Sequence, residues 1–393
     1  MSEFSGRIVK GMRHKEAAFV IESIFANYAN VQRKQQIVQE FYGPEYALFK
    51  KEPIHVSKII AESPEKRPAI AKSLEEALSI LLIKGNLGLT LVHRLIVDYL
   101  DAAEPAKAQE WISGISEFLP EILHTVDGAI AVSKCIAMAS SKDRKAIVKS
   151  FKPFIEKICK DDRGFQTILA IFSLIDDTVL VGKVILSEIT RLIEPLVKDV
   201  YGRKVLGYLV FGVNRRIIPH FTIQLLEQTR SISSALGTSK KDPETRHTEL
   251  KAQIGEAIIA GITGQLNLLV KDMETAVYLA EIVGALSVDR QPEMVQKIIE
   301  AFGEEAFQPG PKCECLKKII KNSSPSASEP IFNAITADLP ALVVGEAAYM
   351  LMHMLRFVDH PISGMVKKLQ SKLKKVEKAE SCQTLLKRIS EQS

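Results

Sequence analysis

The chain has 393 residues, of which 46% are hydrophobic and 25% are charged, so its composition is typical of a folded protein and excludes a disordered chain. The net charge of +5 at pH 7 is too small to establish a polyanion as the partner, although it allows a local basic surface. The sequence contains no run of 18 apolar residues, so it predicts no membrane span, and residues 1–16 are too polar and basic for a secretory signal.

In chain order, four segments can be aligned on a common glycine. These glycines are Gly88, Gly128, Gly164 and Gly202, and they lie 40, 36 and 38 residues apart. A period in this range is typical of helical repeats that stack on one another. Weaker copies place the same position at Ala17, Pro53, Glu274, Lys312 and Ala347. The sequence therefore predicts an all-α fold, a right-handed α-solenoid of roughly eight or nine repeats.

Each repeat is interpreted as two helices. Apolar residues occupy positions ten, nine, six and five before the glycine, and they recur at positions three, four, seven and eight after it. Phe118 stands ten residues before Gly128 and is predicted to lie in the core. The glycine is predicted to form the turn between the two helices, where it would tolerate a positive φ angle.

Three parts of the chain are predicted from these patterns. Residues 1–230 form an N-terminal block of repeats, and residues 231–247 form a polar loop insertion that is rich in turn-forming residues. Residues 248–393 form divergent repeats with a capping helix. That last helix is predicted at 366–378, where one side is apolar and the other carries lysines.

The segment Val200-Tyr201-Gly202-Arg203-Lys204-Val205-Leu206 resembles the Pumilio (PUF) repeat, and several other segments sharpen the resemblance to the Puf-A group. Those segments include Leu123-His124-Thr125-Val126-Asp127-Gly128-Ala129, Lys142-Asp143-Arg144-Lys145-Ala146-Ile147-Val148-Lys149 and Ser239-Lys240-Lys241-Asp242. The resemblance implies a monomeric nucleolar or nuclear protein that helps to mature large-subunit ribosomal RNA together with pre-ribosomal assembly factors. It also implies binding of RNA, and possibly of DNA, with little sequence preference. Members of the group carry further N-terminal repeats and a basic extension, so the sequence is interpreted as a short form or a fragment.

A sequence-specific PUF repeat reads one base with side chains one, two and five residues after the repeat glycine. In this chain those positions hold aliphatic or mismatched residues, such as Ala129, Ile130 and Ser133 in one repeat and Phe165, Gln166 and Leu169 in the next. A side chain without a donor or acceptor cannot distinguish bases by hydrogen bonding. The sequence therefore argues against a sequence-specific repressor of messenger RNA.

Basic residues at or near the reading positions remain as candidates for phosphate contacts, which position a strand without reading it. Two basic pairs outside those positions extend the set. The predicted nucleic-acid-binding residues are Lys58, His93, Arg94, Lys134, Arg163, Arg203, Lys204, Arg215, Arg216, Lys240 and Lys241.

No arrangement of residues that is typical of an enzyme is found, and no cofactor is expected. The five cysteines form no paired framework, which favours reduced thiols, and Cys313-Glu314-Cys315 lacks a second ligand pair for zinc. Two functional interpretations stay open. The first is an RNA-binding scaffold of ribosome assembly, and the second is a HEAT- or armadillo-like scaffold that binds only proteins. They differ in whether the positive charges gather on one face.

Overall fold

A computed structural model describes residues 6–48, 52–337 and 350–351 of the chain. Within these ranges every regular element is helical. The predicted capping helix at 366–378, the repeat position at Ala347 and the cysteine Cys382 lie outside the described residues.

Fourteen α-helices run from the start of the described chain to Arg191. They are α1 (Ile8–Met12), α2 (Lys15–Ser23), α3 (Val31–Gln39), α4 (Pro44–Leu48), α5 (Val56–Glu62), α6 (Arg67–Ile83), α7 (Thr90–Ala102), α8 (Pro105–Ile115), α9 (Val126–Met138), α10 (Ser141–Phe151), α11 (Ile155–Cys159), α12 (Gly164–Leu174), α13 (Thr178–Val181) and α14 (Ser187–Arg191). Nine further helices follow in the described residues. They are α15 (Ile193–Lys198), α16 (Val200–Phe211), α17 (His220–Leu236), α18 (Pro243–Thr263), α19 (Leu266–Leu269), α20 (Met273–Gly284), α21 (Gln291–Phe302), α22 (Pro311–Asn322) and α23 (Glu329–Ala337).

The chain forms two compact units whose boundaries differ from the predicted ones. The first unit comprises Met1–Arg191 and His220–Gln253, and the second comprises Leu192–Pro219 and Ile254–Ser393. The chain returns to the first unit because α17 packs against α9 and α12. A sequence pattern that follows chain order does not reveal such a return.

The predicted loop at 231–247 is largely helical, and only residues 237–242 separate α17 from α18. Two of the polar residues that suggested a loop, Ser233 and Arg246, are buried and hydrogen-bonded. Arg246 is only 2% exposed, and its guanidinium donates to the Asp176 carboxylate at 2.7 Å and to Ser239 Oγ at 2.6 Å. These bonds hold the short connection against the end of α12.

The repeats of Gly128, Gly164 and Gly202 each contain three helical segments and not the two that were predicted, whereas the Gly88 repeat has no short helix between α6 and α7. A longer helix such as α10 is followed by a short one such as α11 and then by the glycine helix, here α12. In the short segments the positions nine, six and five before the glycine are buried, as predicted. The position ten residues before the glycine is not buried: Phe118 and Phe154 occupy it and are 50% and 47% exposed. The prediction that Phe118 lies in the core is therefore wrong.

Close packing of the backbone requires three of the four repeat glycines. Gly88 is the exception, because it precedes α7 and a Cβ atom there would lie in open space in the described structure. Gly128, Gly164 and Gly202 lie in the first turns of their helices, and none has a positive φ angle, so the predicted turn conformation is wrong. A Cβ atom on these glycines would lie 1.7, 2.7 and 2.5 Å from the carbonyl oxygen six residues earlier in the chain. The short segment thus packs directly against the start of the glycine helix, which only glycine permits.

The repeat register in α20 is one residue later than predicted, at Thr275 in place of Glu274. With Thr275 as the reference, the residues three, four, seven and eight positions later are all buried, as are those nine, six and five positions earlier. Asp272 accepts a hydrogen bond from the Thr275 N–H at 2.8 Å, just as Thr125 caps Gly128 and Asp199 caps Gly202 at the same spacing. At Lys312 the predicted register agrees with the burial of α22.

Candidate nucleic-acid interface

The base-reading positions of the clearest repeats are buried in the protein. Ala129, Ser133, Phe165 and Leu169 are at most 1% exposed, and Gln166 is 4% exposed. A buried side chain cannot reach the edge of a base. The structure thus adds a steric reason to the chemical one for the absence of base reading at these repeats.

His93 does not present a charge to solvent. It is fully buried, with Nδ1 bonded to Thr125 Oγ1 at 2.7 Å and Nε2 bonded to the Leu87 carbonyl at 2.9 Å. Burial, helped by the nearby His124 ring, lowers the pKa of His93 to about 4. The imidazole is therefore neutral near pH 7, and the prediction that it contacts phosphate is wrong.

The burial of His93 should make the stability of the folded protein depend on pH. The pKa of His93 in the folded protein lies below its usual value, so the unfolded chain binds more protons between these two values. The stability that neutral His93 contributes is therefore lost as the pH falls from about 6.5 to 4. Over that range the loss should reach about 3 kcal/mol. We expect His93→Gln to flatten the pH dependence of the unfolding midpoint, whereas His14→Gln at an exposed histidine should leave it unchanged. Equal slopes for the two variants would contradict this assignment.

Arg94 contacts one carboxylate of its own helix and one of the next repeat, and Lys134 contacts a carboxylate of the preceding repeat. The Arg94 guanidinium lies 2.8 Å from Asp98 and 3.4 Å from Asp127, and Lys134 is paired with Asp101. Tyr42 also donates to Asp98, at 2.6 Å. These cations hold repeats together, so their charges are already neutralised.

Arg203 and Lys204 are buried as well, at 7% and 8% exposure, and do not lie on an open face as the prediction required. The Lys204 ammonium lies 3.3 Å from Glu274 and 5.0 Å from the centre of the Tyr201 ring. Arg203 donates to the Val197 carbonyl at 3.3 Å and lines a cavity together with Val200, Leu268 and Lys271.

The other predicted residues divide into paired and unpaired cations. The pairs are Lys58 with Glu62 at 3.8 Å, Arg163 with Asp162 at 3.3 Å, Arg216 with Glu281 at 2.5 Å, and Lys241 with Glu249 at 2.6 Å. Arg215 and Lys240 are exposed, and among the residues that the structure describes the side-chain charge of neither forms an ion pair. Of the eleven candidates, these two remain fully available to a phosphate.

A lysine face that the sequence reasoning did not select lies on α10. Lys142, Lys145 and Lys149 are exposed, and within the described ranges none forms an ion pair. Their spacing of three and four residues places them on one side of the helix. We call them the α10 lysine face. On the opposite side Asp143 and Arg144 are buried, which fixes the orientation of the helix. The spacing of these lysines is visible in the sequence, but α10 precedes the glycine helix that carries the base-reading positions.

Cys313 and Cys315 are buried in α22, and neither forms a disulfide with a described residue. The described residues contain no group of three or more His, Cys, Asp or Glu side chains placed to hold a metal ion. They also contain no helix that is long and apolar enough to cross a membrane.

Comparison with known proteins places the chain among helical-repeat proteins of the Pumilio type. Residues 198–326 match the model of the CPL (NUC119) domain. The "Pumilio homology domain family member 6" of Schizosaccharomyces pombe is 35% identical over 257 residues, which cover 65% of this chain and 40% of that protein. Human "Pumilio homolog 3" is 30% identical over 79% of this chain, and the chain spans 47% of its length. The chain thus spans less than half of the length of these curated relatives.

The crystal structure of human Puf-A matches the fold with a TM-score of 0.83 and 26% identity, over 98% of this chain and 79% of that one. The structure of human Puf-A in complex with DNA matches with a TM-score of 0.78 and 25% identity over the same shares. The predicted fold class, an all-α array of Pumilio-type repeats, is confirmed by this match and by the helical structure of the described residues. The chain belongs to the Pumilio repeat family, in the branch that includes Puf-A.

Proposed function

We propose that the chain is an RNA-binding scaffold that acts in nucleolar assembly of the large ribosomal subunit, where it binds pre-ribosomal RNA through phosphates with little sequence preference. Binding of DNA and contacts with pre-ribosomal assembly factors belong to the same proposal. The observation that carries it is the contrast between buried base-reading positions and the unpaired α10 lysine face.

For electrostatic reasons, these lysines can bind a nucleic-acid strand of any sequence. An exposed ammonium with no ion-pair partner can displace the counterions of a phosphate backbone, and a phosphate contact carries no sequence information. Lys240 and Arg215 add exposed cations, each within its own compact unit. The crystal structure of human Puf-A in complex with DNA, a strand without a 2′-hydroxyl, supports recognition of the backbone.

Removing charge from the α10 lysine face should weaken binding of RNA of any sequence. We expect Lys145→Gln/Lys149→Gln to reduce affinity for single-stranded RNA about tenfold near 100 mM salt and to lower the salt slope by about 1.4, the value for two phosphate contacts. Affinity can be measured by fluorescence anisotropy from 50 to 200 mM salt.

The matched control is Lys107→Gln/Lys297→Gln. It removes the same charge from lysines that are already paired with Glu110 at 3.0 Å and with Glu293 at 2.7 Å. The control should bind RNA almost like the wild type. Equal losses in the two double variants would show that only net charge matters and would exclude the α10 lysine face as the contact.

A second candidate function, a scaffold for protein partners, is favoured by one observation. Phe118 and Phe154 occupy equivalent positions of consecutive repeats, and each is about half exposed. Exposed aromatic residues are enriched in protein interfaces. Changing both residues to serine should impair capture of a partner protein and spare RNA binding if this function holds.

A further inference from the structure

Arg203 differs from the other well-buried arginines in how its charge is satisfied. Arg144 makes six hydrogen bonds to neutral oxygens, and Arg246 is paired with Asp176. Arg203 is 7% exposed, yet it has one hydrogen bond of 3.3 Å, and no carboxylate lies within 4.0 Å of it in the described part of the chain. Burial of a charged group is costly unless an opposite charge or hydrogen bonds compensate it. The missing compensation points to an external anion.

Arg203 lines a cavity of about 330 Å³ in the second compact unit, between the start of α16 and the segment α19–α20. Lys271 also lines it and is exposed, with no ion pair to any described residue. The carboxylate of Asp272 is already occupied by capping α20, where it accepts from the Thr275 N–H at 2.8 Å. Two cations that form no ion pair with a described residue therefore face one space, whose volume lies in the range of small-ligand sites.

The cavity also has an apolar wall, which inorganic phosphate alone would leave uncovered. Val200 and Leu268 line it and are 40% and 55% exposed, and Val197 and Leu269 lie behind them. A ligand that combines an anionic group with a flat, weakly polar one would contact the cations and the wall together. A nucleotide has this combination.

We propose that this cavity binds a single nucleotide of the bound strand, with its phosphate on Arg203 and Lys271 and its base against Val200 and Leu268. The inference rests on the proposed RNA-binding function and adds a discrete site to it. Of the three base-reading positions of this repeat, only Arg203 lines the cavity, whereas Lys204 and Gly207 do not.

The test is ligand-detected NMR with the full chain and three kinds of probe: ribonucleoside 5′-monophosphates, the corresponding nucleosides and inorganic phosphate. We expect saturable binding of the monophosphates, at least tenfold weaker binding of inorganic phosphate and no binding of the nucleosides. Lys271→Gln and Arg203→Gln should each weaken monophosphate binding about tenfold, and Lys297→Gln should not change it.

A structural role of Arg203 would be revealed by a second measurement. If the guanidinium serves a ligand, Arg203→Met should leave the unfolding midpoint of the free protein unchanged or raise it, because an uncompensated charge is removed. A fall in that midpoint, or equal affinity for phosphate and monophosphates, would overturn the inference.

The exposed Lys271 keeps the test decisive even if the Arg203 variants fail to fold. Failure of the inference is distinguishable from failure of the proposed function. A wild-type chain that binds RNA but no monophosphate contradicts only the cavity site, whereas a chain that binds no RNA at 50 mM salt contradicts the function.

Discussion

Replacing Gly128 by alanine is expected to destabilise the protein by about 3 kcal/mol, a cost at the upper end of overpacking effects. The new Cβ atom would lie 1.7 Å from the Ile122 carbonyl oxygen and 2.9 Å from Thr125 Oγ1. Both neighbours are fixed, since Ile122 is fully buried and the Thr125 hydroxyl caps α9. The short segment before the helix would have to move away, which would open the core of this repeat.

Urea unfolding of the variant measures this effect, and Gly114→Ala is the matched control. Gly114 lies in α8, and in the described part of the chain no atom beyond its own helix backbone lies within 4 Å of the position that its Cβ would take. Alanine should be neutral there or slightly stabilising, because glycine is a poor helix former. If Gly128→Ala were as stable as Gly114→Ala, close backbone packing would not be the reason for the repeat glycine.

Replacing Arg144 by alanine should have an effect of similar size, also about 3 kcal/mol, because it breaks a buried hydrogen-bond network. Arg144 is 4% exposed and donates to carbonyl oxygens at three places: the end of α9, the end of α12, and Thr238 in the connection between α17 and α18. Alanine would leave several of these acceptors without donors. It would also free the connection between α17 and α18, which lies in the first unit.

Lys145→Ala on the same helix is the control for Arg144, since Lys145 is exposed and should change the unfolding free energy by less than about 0.5 kcal/mol. Limited proteolysis gives a second measurement, because residues 237–242 should become the first site of cleavage in the Arg144 variant. A variant that resists urea and protease like the control would show that Arg144 does not hold the connection between α17 and α18 in place.

The repeat register could be predicted because it follows from local chain chemistry. The apolar positions around Gly128, Gly164 and Gly202 recur at helical spacing, and burial of those positions is what stacks one repeat on the next. The register failed by one residue at Thr275, where no glycine marks the position. The third helical segment was missed because the short helices, such as α11, cover fewer than two turns of apolar pattern.

The candidate site was predicted less well because the partners of a charge are distant in sequence. Lys134 is paired with Asp101, and Lys204 with Glu274, 33 and 70 residues away. A lysine bound to such a partner has the same local sequence signature as a lysine that faces solvent. Lys145 and Lys149 are exposed because the opposite side of α10 packs into the core, and that orientation emerges only from tertiary structure.

The most direct test of phosphate recognition is the affinity of the wild-type chain for a panel of unrelated RNAs of equal length, measured from 50 to 200 mM salt. The structure predicts affinities that agree within about threefold across sequences and a steep linear fall of log affinity with log salt concentration. A preference of about a hundredfold or more for one sequence would contradict the account, because buried base-reading positions cannot provide that discrimination.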